Sequence, residues 1–164
     1  MQNRFGIKRA HRVVRYMLGM GGLCALIIGA TGLLAGDAVA HKNATGIVKE
    51  RMDRFAASRD SLKRITGLLR GEHYAEIAVE ADTLAAWAEA MPGYFPAGSD
   101  YAPTEAAPSI WTDFIGFQAA AAVMQQAALD VKTAAIATDK ATLTAAVQEV
   151  AASCKSCHRV YRER

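Results

Sequence analysis

All four prolines of the chain, Pro92, Pro96, Pro103 and Pro108, fall within seventeen residues. Proline lacks an N–H and its ring crowds the preceding turn, so helices do not run through such a cluster. It therefore marks one long connection, with proline-free segments of helical period on both sides. Before it, apolar residues recur at 48, 52, 55, 62, 65 and 69, a spacing of three and four interrupted at Arg59. A second segment, from about Glu72 to Met91, places Tyr74, Ile77, Ala81, Leu84, Ala88 and Met91 on one face, and Gly71 between the two suits a tight antiparallel turn. After the prolines, a third helix capped by Thr104 or Ser109 carries Trp111, Phe114, Phe117, Ala121, Met124, Ala128 and Val131. The last begins near Asp139, and its apolar series Leu143, Val147, Val150, Cys154, Cys157 and Tyr161 is one seam of a bundle. The pattern predicts an all-α fold: an antiparallel four-helix bundle with one long Pro-rich crossover loop.

Composition agrees with this and excludes other classes. With 52% apolar, 21% charged and only 7% aromatic residues, the chain is neither disordered nor a strand-rich sandwich. Its net charge of +3 is unevenly held. Residues 1–40 carry five basic residues and one acid, whereas residues 41–164 carry fourteen and fifteen. A basic surface for nucleic acid is not supported. The basic start, the uncharged run Tyr16 to Ala35 and the small residues Ala38-Val39-Ala40 have the order of a secretory signal, with cleavage expected between Ala40 and His41. An uncleaved anchor is the competing reading. Cys24, within that run, reads as an apolar filler. Residues 1–40 are thus expected to be a signal peptide and 41–164 one helical domain, exported to the periplasm.

The chemistry is concentrated in Cys154-Lys155-Ser156-Cys157-His158. In an exported protein, Cys-x-x-Cys-His reads first as covalent haem attachment. Residues three apart on a helix lie about one turn apart on nearly the same face. Two thiols so placed can bond the two vinyl groups on one porphyrin edge, and His158 then reaches the iron as an axial ligand. A redox-active pair normally opens a helix beside a sheet, whereas these cysteines close the last helix. Zinc would need a fourth ligand from His41 or His73, far away in sequence and both read as surface residues. The expected cofactor is one haem c, near the C-terminal helix.

Further segments carry a family resemblance: Tyr94-Phe95-Pro96-Ala97-Gly98-Ser99, Pro108-Ser109-Ile110-Trp111-Thr112-Asp113 with Phe117, Val48-Lys49-Glu50-Arg51, and the haem motif followed by Tyr161-Arg162. Over residues 45–162 the chain resembles the class II cytochromes c, which include cytochrome c′. The resemblance implies a four-helix bundle with one haem, often dimerising through its first two helices. It also implies that the residue four after the first helix's arginine faces the distal side of the iron. Low-spin relatives have methionine there; cytochromes c′ have a bulky non-ligand and a five-coordinate iron that binds small gases.

Counting four from Arg51 gives Phe55, which cannot ligate, so the register predicts an apolar, vacant distal pocket open to nitric oxide or carbon monoxide. Met52, one turn earlier on the same stripe, is the alternative sixth ligand and would make the protein a low-spin electron carrier; as plain core it would need no such role. For Arg51 two roles stand open, a haem propionate contact or a solvated helix charge. Arg162, four after His158, is expected on the same helix face, either beside the proximal histidine or as a solvated charge favouring the helix dipole. Lys155 and Arg159 face water, from where they would steer an acidic redox partner. That partner is not identified by the sequence, and no catalytic constellation suggests an enzyme.

Overall fold

The computed structural model describes residues 43–163. The segment expected to be a signal peptide, with Cys24, the Ala40–His41 junction and His41, lies outside them. Within them, four long helices form the bundle: α1 (Gly46–Leu68), α2 (Tyr74–Ala90), α4 (Phe114–Ile136) and α5 (Lys140–Tyr161), with the one-turn α3 (Ser109–Thr112) in the crossover. Apart from an isolated antiparallel bridge between Ala106 and Arg162, the regular structure of the described residues is helical. No helix among them is long and apolar enough to cross a membrane.

Small side chains decide how closely these helices pack. α2 buries Ala81, Ala85 and Ala88, and α4 buries Ala121, Ala127, Ala128, Ala134 and Ala135, so these two pack along their whole length. α5 lays Leu143, Ala146, Val147 and Val150 against α4, and α1 lies along α2. The α1–α5 side of the bundle is different, because these two helices meet at few points. Of its apolar stripe α1 buries Val48 and Ile65 fully, while Met52, Phe55 and Leu62 are half-buried, as is Leu69 in the turn that follows. The apolar stripe in the middle of the first helix is thus only partly buried.

Local details depart from the sequence expectations in three places. The third helix is not continuous from Ser109. It breaks at Asp113, whose side chain accepts the Gly116 N–H at 3.1 Å and caps α4. Neither expected cap serves, since Ser109 Oγ donates to the Val160 carbonyl at 2.6 Å and Thr104 Oγ1 receives the Ala106 N–H at 3.1 Å. At the first turn, Gly71 closes a short 3₁₀ segment and Glu72 takes the left-handed conformation at φ 56°. Its carboxylate accepts from Lys140 Nζ at 2.8 Å. Asp139, by contrast, caps α5 as expected, accepting from the Ala141 and Thr142 N–H groups at 3.1 Å.

The α4 cap demands a glycine. A Cβ on Gly116 would stand 2.1 Å from Asp113 Oδ2 and 2.6 Å from Tyr161 Oη, so any side chain there displaces the cap. Gly116→Ala is expected to lower stability by about 1–2 kcal/mol, the worth of an N-cap, in a chemical denaturation curve. An unchanged midpoint would show that the cap contributes nothing.

Candidate haem-binding site

The site lies where α1 begins, α2 ends, α4 begins and α5 ends. Cys154 and Cys157 are free thiols on α5, half-buried and packed against the same core cluster as Phe55, Tyr94 and Trp111. Burial raises both thiol pKa values, and it pushes Cys157 up to about 11, helped by the neighbouring Cys154. Such thiols stay protonated near neutrality, which is the opposite of a redox-active pair. Among the described residues no three His, Cys, Asp or Glu side chains converge as a metal cluster, so the zinc reading finds no ligand set there. His73 is an exposed residue at the start of α2, 3.5 Å from Glu76, in line with a surface role.

His158 follows on the last turn of α5 and is exposed. Its pKa is lowered, first by partial desolvation and then by the charge of Arg162, with Glu105 opposing. The proximity of Arg162 to this histidine is therefore electrostatic, but its expected place on the helix is not what is found. α5 ends at Tyr161, and Arg162 is extended at φ −125°, ψ 132°. There it pairs with the crossover loop, its guanidinium on Glu105 (Nε to Oε2, 2.7 Å), while Ala107 N–H donates to the Tyr161 carbonyl at 3.1 Å. Lys155 and Arg159 are exposed, as expected.

On the opposite wall, Phe55 meets the Trp87 indole edge to face, with ring centres 5.2 Å apart at 89°, and Phe95 at 6.4 Å. Phe95 continues to Phe117 at 4.9 Å, and Phe117 to Tyr161 at 5.4 Å. An aromatic layer thus joins the first helix to the end of the Cys-x-x-Cys-His helix. Met52 is half-buried but is not among the side chains packed on this cluster, whereas Phe55 is.

Arg51 overturns the solvated reading. It is 1% exposed, and its guanidinium reaches the crossover loop. Nη2 donates to the Ser99 carbonyl at 2.6 Å and to Thr104 Oγ1 at 2.5 Å, and Nη1 to Ser99 Oγ at 3.0 Å. Its charge also sits 4.6 Å from the centre of the Phe95 ring. Burial lowers its pKa, an effect that Tyr101 and Asp100 partly offset.

Sequence reading missed Trp87. It belongs to the buried face of α2, three residues after Leu84, and that spacing was the available signal. It is buried, and its Nε1 is without a hydrogen-bond partner among the described residues.

These features fit a haem. Two core-facing thiols lie one turn apart on one helix, with a histidine beside them. Helix α1 makes few contacts with α5, and its half-buried phenyl ring packs on the same core as both thiols, against an indole whose N–H is unpaired among the described residues. Fold and site together define a helical-bundle c-type cytochrome.

The family profile described as Cytochrome C′ matches residues 46–162. Cytochrome c′ of Rhodospirillum rubrum is 32% identical over 142 residues, 84% of this chain and 96% of that protein. Cytochrome c-556 of Agrobacterium tumefaciens (strain II Chrys) is 34% identical over 120 residues, 71% of this chain and 97% of the relative. Among solved structures, the nitric oxide complex of a variant cytochrome c prime from Alcaligenes xylosoxidans aligns with TM-score 0.65 at 28% identity. The alignment covers 72% of this chain and 94% of that one. The chain belongs to the cytochrome c′ family, class II of the c-type cytochromes. It carries one covalently bound haem c.

Proposed function

We propose that this is a periplasmic mono-haem cytochrome whose iron is five-coordinate and high-spin and binds nitric oxide or carbon monoxide, with electron transfer as a further use of the same centre. In this reading Cys154 and Cys157 form the thioethers, His158 is the axial ligand, and Phe55 shields the distal side. The observation that carries it is the packing of Phe55, rather than Met52, on the core cluster that also holds both cysteines. A phenyl ring cannot bond iron, and it excludes water and polar ligands while leaving room for small apolar diatomics. The relative solved as a nitric oxide complex supports the gas-binding part. Export to the periplasm rests on the signal-like order of residues 1–40.

The structure around α1 and α2 also suits a homodimer. Their outer face carries a groove of about 390 Å³ whose lining includes Arg54, Ser58, Asp82, Thr83 and the outer edge of Trp87, and Val79 is two-thirds exposed on α2. A second copy laid on this face would cover both. The protein acts as a binding and carrier protein rather than an enzyme.

Optical spectra of the purified protein, oxidised, reduced, and reduced under carbon monoxide, test the reading. Broad high-spin bands and a carbon monoxide response are expected. Met52→Ala should leave those spectra unchanged. Sharp split reduced bands that turn high-spin on that substitution would instead assign Met52 as sixth ligand and make the protein an electron carrier.

A further inference from the structure

Trp87 Nε1 is a buried donor without a hydrogen-bond partner among the described residues. The residue is 6% exposed. Its ring is held by Phe55 at 5.2 Å, by Tyr94 at 5.3 Å, and by the Arg54 guanidinium 5.8 Å from its centre. Phenylalanine and a guanidinium carry no acceptor. Leaving an indole N–H unpaired in an apolar interior is costly, and native structures retain such groups where a partner arrives with a ligand or where they serve a role. The chain's other tryptophan shows the ordinary outcome: Trp111 Nε1 donates to the Phe95 and Pro96 carbonyls, both at 3.1 Å.

We propose that the Trp87 indole N–H is the hydrogen-bond donor of the haem site, reserved for an oxygen acceptor that enters with the haem or with its gaseous ligand. Its position argues this. Trp87 stands edge to face with Phe55, both rings pack on the core that also holds Cys154 and Cys157, and the outer edge of Trp87 lines the groove between α1 and α2. The pocket that the Phe55 register predicts as wholly apolar thus has one polar contact, delivered by α2. The two sources of acceptor, a haem carboxylate and a bound diatomic, share this chemistry and differ in what the bond controls. A donor to a carboxylate disperses negative charge near the iron and favours the reduced state. A donor to a bound diatomic slows its release.

The inference rests on the haem-binding reading, so haem staining of the denatured protein comes first; a protein without covalent haem overturns both. In the stained holoprotein, the indole ¹⁵N–¹H resonances of both tryptophans are recorded in the reduced state with and without carbon monoxide. Trp111 serves as the hydrogen-bonded reference. The Trp87 resonance is expected to join it in the hydrogen-bonded range in at least one state. Trp87→Phe keeps the ring and removes the donor. If the acceptor is the gas ligand, carbon monoxide release accelerates about three- to tenfold and the bound ligand's stretching frequency moves, while the midpoint potential holds. If the acceptor is the carboxylate, the potential falls and the stretching frequency holds. A Trp87 resonance outside the hydrogen-bonded range in both states overturns the proposal without touching haem attachment, and needs no variant to fold.

Discussion

Replacing Cys154 and Cys157 together by alanine should abolish covalent haem, giving a colourless protein whose denatured mass equals that of the bare chain. Each single substitution should leave one thioether, with haem still attached but its absorption bands shifted. The reason lies in the geometry of α5: both thiols project from consecutive turns of one helix toward the core. Neither can be replaced by a neighbour, since the adjacent Ser153 and Ser156 carry hydroxyls, which form no thioether. The fold should survive, because the two side chains are small and half-buried. Removing each costs on the order of 1 kcal/mol, below the large cavity penalties of bulky core residues. Far-ultraviolet circular dichroism of the double variant should therefore keep its helical signal. Haem persisting after denaturation of the double variant would show that attachment runs through other residues.

Much of this architecture was legible in the sequence because it rests on short-range rules. The proline cluster, the seam from Leu143 to Tyr161 and the cap at Asp139 depend on spacing within a few turns, and the structure reproduces each. What escaped depends on partners distant in sequence. The break at Asp113 is fixed by Tyr161, whose hydroxyl donates to Asp113 Oδ2 at 3.0 Å from forty-eight residues away. Arg162 leaves the helix because the crossover backbone at Glu105 and Ala107 offers it and its neighbours a short ladder. A one-dimensional pattern contains no record of such pairings. The candidate site divides along the same line. The thiols and histidine sit in one contiguous motif, while Phe55 was reached through the family register and its contact to Trp87 joins two helices.

Arg51 is the clearest case of a residue whose role comes from the fold, and its replacement should have the largest effect on stability. The guanidinium is buried with no carboxylate bonded to it among the described residues, so its desolvation is unfavourable by itself. It persists because the planar fork answers four acceptors at once, the Ser99 carbonyl, Ser99 Oγ, Thr104 Oγ1 and, more distantly at 3.5 Å, the Tyr94 carbonyl, while the Phe95 ring receives the charge at 4.6 Å. Ser99 is itself 2% exposed, and removing the fork leaves its carbonyl and hydroxyl buried without those donors. Hydrogen bonds to a charged donor contribute about 1.5–3 kcal/mol each, and orphaned acceptors cost about 1–3 kcal/mol, with strong non-additivity. Arg51→Ala should therefore lose about 3 kcal/mol, lowering Tm by roughly 10 °C in a domain this size. Arg51→Lys should recover less than half of that, because an ammonium cannot span the same acceptors. Amide hydrogen exchange should show the loss first between Ser99 and Thr104, where the loop is released from α1, before the α2–α4 core responds. A lysine variant as stable as the parent would mean that charge over the Phe95 ring holds the loop and that the fork is incidental.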